Sequence, residues 1–214
     1  MMLRNGMLLA HIGAVALVLG LLIALYSQLM LTQEQLVSIR GELLSAEALA
    51  METMEELRDA QFELHLVSCI AAYRPNIPAT ELAAEVFALA RQWGASDPYA
   101  LCLDIIALGG VESEWRTDQV GKLGERGPLQ VKPATARDMG LTTPEFSDWR
   151  RTLAAGVRYF ASVCLPRAQG NRKLAIAYYN AGPYRDSDTA LRLANRYVSN
   201  VEFARGLAEV TPRR

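Results

Sequence analysis

Hydrophobic and polar positions divide the chain into stretches of different period. Met7 to Tyr26 is a run of twenty residues with no formal charge at neutral pH, His11 being its only side chain of a type that ionises near neutrality. A helix of that length rises about 30 Å at roughly 1.5 Å per residue, the hydrocarbon thickness of a bilayer. From Thr32 to about Val67 the chain has one glycine, Gly41, and no proline, and is rich in Glu, Leu, Ala and Gln, which predicts a helix. Leu36, Ile39, Leu43, Ala46, Ala50, Leu57, Ala60 and Leu64 follow a seven-residue repeat, with Thr53 as its poor position. Alanines weaken that seam, so two outcomes stay open: a short coiled coil forming a homodimer through residues 32–67, or a stalk helix packing back on its own domain.

Tyr73-Arg-Pro-Asn-Ile-Pro78 breaks the pattern, with two prolines in four residues. Shorter helices are predicted beyond it. Thr80 caps one ending at Trp93 before Gly94, with Leu82, Val86, Leu89 and Ala90 as its apolar side. Asp97-Pro98 is a cap followed by proline, opening a helix to about Glu114. Pro133 opens a short helix ending near Gly140, and Ser147 caps another to about Cys164. Leu174 to Tyr179 is helical and stops at Asn180-Ala-Gly-Pro183, and Asp188 begins a last helical region to about Val210. No segment alternates as a strand would. The expected organisation is a tip and anchor over 1–28, a stalk over 29–72, a linker over 73–79 and an all-α domain over 80–214.

Charge adds an orientation. Arg4 precedes the apolar run and no base follows until Arg40, so the N-terminus is placed in the cytoplasm and the rest outside it. The long apolar core and the lack of a small-x-small cleavage site favour an uncleaved anchor at residues 7–26 over a signal peptide. Residues 1–70 carry three bases against eight acids, and residues 71–214 carry 19 against 15. The C-terminal part suits an anionic polymer, and nothing suggests a nucleic-acid partner.

Both histidines, His11 and His65, precede residue 71, so the expected domain has no Ser-His-Asp triad, Cys-His pair or HExxH zinc site. Cys69, Cys102 and Cys164 show no CxxC spacing. A structural zinc is not expected, and Cys102 and Cys164 are either paired or two buried thiols.

Candidate chemistry falls between Val111 and Gln130. Leu101, Ile105 and Leu108 form a helical stripe that Glu112 continues, lying within about 20° of the direction of Ile105. A carboxyl on that stripe is partly desolvated and held protonated, as a general acid requires. Glu114 points over Leu103 and Ala107 and is the weaker candidate. The loop Gly121-Lys-Leu-Gly-Glu-Arg-Gly127 lacks phosphate-loop spacing, so its glycines are read as turn formers beside a cleft.

Three pieces together resemble the soluble-lytic-transglycosylase (SLT) family, lysozyme-like domains that cleave peptidoglycan. They are Glu112-Ser113, then Gly124-Glu-Arg-Gly127-Pro-Leu-Gln130, then Ala177-Tyr-Tyr-Asn180-Ala-Gly182. Pro133-Ala-Thr-Ala136 and Tyr197-Val198 add to the likeness, which covers roughly residues 80–205. Pro128-Leu129 and Glu125-Arg126 depart from the usual pattern. The resemblance implies one carboxylate, Glu112, acting as acid and then base at the MurNAc-GlcNAc bond and leaving 1,6-anhydro ends. It also implies that Gln130, Tyr179 and Asn180 line the saccharide cleft and that Ser113 supports the helix end or the acid. No metal and no cofactor are implied. The partner is peptidoglycan, and the place is the outer side of a bacterial inner membrane. A lysozyme-type hydrolase on the same fold and a non-catalytic wall-binding scaffold are the alternatives.

Overall fold

The computed structural model describes the backbone of residues 2–74, 76–94 and 97–210 and the side chains of residues 17–74, 76–94 and 97–209. Helix α1 runs Met2–Ala71. The chain divides into two units, Met1–Arg58 and Asp59–Arg214. In the first, Leu36, Ile39, Leu43 and Leu57 of the expected seam are exposed. From Leu17 onward the helix is long and apolar enough to cross a membrane. Residues 7–16 of the expected anchor, with His11, lie outside the residues whose side chains are described.

The second unit begins before the proline cluster, which corrects the expected boundary at 73–79. Leu66, Cys69 and Ile70 on the last turns of α1 are buried in the core, and Phe62 packs against it. Leu64, a seam position, is exposed on another side of the same turns. Tyr73 is part of the packing as well: its ring lies where a Cβ on Gly110 would sit, at 2.2 Å. The segment after α1 is therefore a packed turn rather than a free linker. His65 consequently belongs to the compact unit, whereas the domain expected over 80–214 has no histidine.

The compact unit is helical, with no named strand among the described residues. The isolated bridges there are Val120 with Arg126 and Arg126 with Val131. α2 (Ala79–Trp93) and α3 (Pro98–Ser113) are followed by α4 (Pro133–Asp138) and a 3-10 turn at Glu145–Ser147. α5 (Trp149–Tyr159) continues through a π turn, Phe160–Cys164, into the short α6 (Leu165–Arg167). α7 (Arg172–Ala181), α8 (Ser187–Leu193) and α9 (Asn195–Val210) complete it. Asp97 caps α3 as expected, its carboxylate accepting from Ala100 N at 2.9 Å. Three expected starts move. α2 begins at Ala79 after Pro78, leaving Thr80 inside its first turn. Asp148, not Ser147, caps α5 by accepting from Arg150 N at 2.8 Å. Asp186, not Asp188, starts the last helical region, which breaks at Ala194 into α8 and α9.

α3 is the centre. Leu101, Cys102, Ile105, Ile106, Ala107 and Leu108 are all buried, as expected of a helix apolar on every side. α2 and α9 pack against it. Asp104 is a charge in this core, fully buried, and its carboxylate is held by Arg172 of α7 and by Arg205 of α9 at 2.8 Å. A charge taken out of water needs such partners, and these two bind the helices that carry the later cleft tyrosines to α3. The three cysteines are buried and none is in a disulfide, so Cys102 and Cys164 are two buried thiols.

Candidate active site

The end of α3 is shaped by two glycines. A Cβ on Gly109 would lie 2.5 Å from the indole of Trp115, and one on Gly110 would meet Tyr73. Trp115 is fully buried and its Nε1 donates to Ile106 O at 3.2 Å. Glu114 and Trp115 take positive φ, 52° and 62°, a region that costs a side-chain-bearing residue energy. This reversal folds the indole under the helix. It also turns the neighbouring carboxylates apart: Glu114 is exposed and paired with Arg74 at 3.1 Å, whereas Glu112 is half-buried.

Glu112 Oε1 accepts a hydrogen bond from the Tyr197 hydroxyl at 2.6 Å. Burial pushes the carboxyl up to about 7 and Glu125 adds to the rise, against the bond from Tyr197 and the charge of Lys132, which lower it. The hydroxyls of Tyr197 and Tyr179 are raised well above the ordinary range by burial and by the charge of Glu112. They remain donors while Glu112 changes charge.

The next segment forms a wall. Gly121 N donates to Glu125 O at 2.8 Å, and Arg126 and Val131 exchange two backbone bonds at 3.0 Å. Gly127, at φ 75°, lies so close to α5 that a Cβ there would strike the Thr152 hydroxyl at 2.1 Å. Ser113 donates to Pro128 O at 2.8 Å and Tyr179 donates to Leu129 O at 2.8 Å. Leu129 is fully buried. Pro128-Leu129, the part least like the family pattern, thus offers two carbonyls by which the helix end and α7 hold the wall.

A depression of about 460 Å³ is lined by Glu112, Glu125, Gln130, Lys132, Tyr159, Tyr179 and Asn180, among others. Four of the five expected site residues meet there. Ser113 does not line it and acts beneath the wall. Gln130 lines it at φ 45°, but its amide nitrogen donates to Gln119 O at 3.2 Å and Gly127 O at 3.0 Å. Its donors therefore fasten the loop. Tyr197, Tyr159, Glu125 and Lys132 were not expected at the site. The Tyr197-Val198 likeness was the one signal for Tyr197, and it gave no hint of contact with a residue 85 positions earlier.

A larger depression of about 1040 Å³ lies between Tyr73–Pro78 and Glu114–Val120. Its Glu114 is exposed and paired with Arg74, whereas the smaller depression holds the half-buried Glu112, so the chemistry favours the smaller one. Nucleophilic cysteine is a poor reading, because burial pushes Cys102 and Cys164 up to about 12. His65 is no base for its neighbour Cys69. Its Nε2 lies 2.7 Å from the Ala208 carbonyl and must donate to that acceptor.

Residues 91–200 match the family described as Transglycosylase SLT domain. The match runs from the last turn of α2 into α9 and contains the half-buried carboxyl, its tyrosine partner, the wall and every expected site residue.

Proposed function

The chain belongs to the transglycosylase SLT domain family, and from that premise we propose a membrane-anchored murein lytic transglycosylase with Glu112 as its one catalytic carboxyl. The observation that carries this is Glu112 itself: half-buried, raised to about 7, bound to a tyrosine hydroxyl and open to a depression of ligand size.

Protonated Glu112 donates its proton to the oxygen of the β-1,4 bond between MurNAc and GlcNAc. The C1–O bond breaks, GlcNAc leaves with its new hydroxyl, and positive charge builds on the MurNAc ring, with help from the substrate's own N-acetyl group. Glu112, now a carboxylate, takes the proton of the MurNAc 6-hydroxyl as that oxygen bonds to C1. The product is a 1,6-anhydro ring and the acid is restored. Tyr197 steadies the carboxylate between the two steps, and Asn180 and Tyr179 face the sugars.

Glu125, in the same depression, is the observation favouring a second reading, hydrolysis by an activated water, since two-carboxylate glycosidases use such a partner. Its Oε2 accepts the Leu123 backbone N–H at 2.9 Å, so the group is committed to the loop and the one-carboxylate reading is preferred. Glu112→Gln tests the assignment. We expect muropeptide release from purified peptidoglycan to fall at least about a hundredfold with the helical circular dichroism spectrum unchanged. Undiminished release would remove Glu112 from the reaction.

Residues 7–26 serve as the anchor in this reading, with the N-terminus cytoplasmic and the catalytic domain on the periplasmic side of the inner membrane.

A further inference from the structure

Tyr184 is 89% exposed, the highest exposure among the large apolar side chains described. An aromatic ring is apolar surface that a fold ordinarily covers or uses. Its position is fixed rather than loose. Arg167 Nε donates to Pro183 O at 2.7 Å and Arg185 Nε donates to Ala181 O at 2.8 Å. Pro183 restricts its own φ, and Asp186 starts α8 immediately afterwards. The backbone on both sides of Tyr184 is therefore held while the ring faces water.

The turn adjoins the site. Asn180, Ala181 and Gly182, just before it, line the depression that holds Glu112. Two tyrosines already line the depression, Tyr159 and Tyr179, 5.7 Å apart ring to ring. Tyr184 follows Gly182 by two positions, which puts it at the rim of that depression.

We propose that Tyr184 is a saccharide-stacking platform that extends the cleft beyond Gly182 for a longer β-1,4-linked amino-sugar strand. This rests on the glycan-cleaving reading of the same cleft. A pyranose with equatorial substituents has C–H faces and a polar edge. The negative face of an aromatic ring attracts those C–H groups without any charged partner. A depression of about 460 Å³ is of small-ligand size, so a longer strand must run over its rim.

The test uses the full chain in detergent, carrying Glu112→Gln to stop turnover, titrated calorimetrically with chitotriose and chitohexaose. We expect Tyr184→Ala to weaken hexaose binding about three- to tenfold and to leave triose binding unchanged. Tyr184→Phe and Tyr184→Trp should retain hexaose affinity, because the ring face carries the contact. Unchanged hexaose affinity in Tyr184→Ala overturns the platform, as does an equal loss in Tyr184→Phe, an equal loss for the triose, or a hexaose that never binds. Failure of the catalytic reading registers separately, as muropeptide release by Glu112→Gln.

Discussion

Glu112 and Glu114 stand two residues apart with opposite surroundings, and that contrast fixes the expected pH behaviour. Glu114 pairs with Arg74 in water. Glu112 is raised to about 7 by burial, although Tyr197 and Lys132 favour its charged form. Activity that needs the protonated acid should fall as pH rises through about 7. The Tyr197 hydroxyl donates to the carboxylate and so lowers this pKa. Tyr197→Phe should therefore move the alkaline limb to higher pH. It should also reduce the maximal rate roughly ten- to a hundredfold, the worth of a hydrogen bond to a charged group. An unmoved limb in a pH-rate profile would separate Tyr197 from the acid. The Glu112 stripe was legible from the sequence because helical period alone sets a residue's face. Tyr197 was not, because its contact depends on how α9 crosses α3. Gln130 was legible as a wall residue, but the loop turns its donors inward onto Gln119 and Gly127.

At the scale of elements, the end of α3 depends on close approach. Gly109→Ala would press a methyl group into the buried Trp115 ring, 2.5 Å away. Such overpacking costs about 1–3 kcal/mol. Gly206→Ala is the matched control: it lies in α9 with nothing within 4 Å of the added carbon, and alanine should gain up to about 1 kcal/mol there. Thermal denaturation should lower the melting temperature of the first variant and raise that of the second. A Gly109→Ala protein as stable as the parent would contradict the packing described. Helix types and the Asp97 cap could be read from local signals. The true starts at Ala79, Asp148 and Asp186 could not, because each expected cap had a competitor within two residues. The π turn at Phe160–Cys164 was not read from the sequence, where the apolar period ran as one helix from Ser147 to about Cys164.

Over the whole molecule, the expected boundary at the prolines was misplaced because proline marks where a helix stops, not where packing begins. The last turns of α1 enter the core through Leu66 and Ile70, so a fragment begun at residue 73 would lose part of its core, whereas one begun at Asp59 would keep it. With its apolar N-terminal run intact, the chain should stay with membranes through high-salt and carbonate washing and require detergent for release. Release by salt alone would contradict the anchor. In the proposed reaction one carboxyl serves first as acid and then as base toward the substrate's own hydroxyl. The most direct test of this is mass spectrometry of the fragments released from purified peptidoglycan. Muramyl ends are expected in the 1,6-anhydro form, one water lighter than reducing ends. Reducing ends that take up oxygen-18 from labelled water would contradict it and identify a hydrolase.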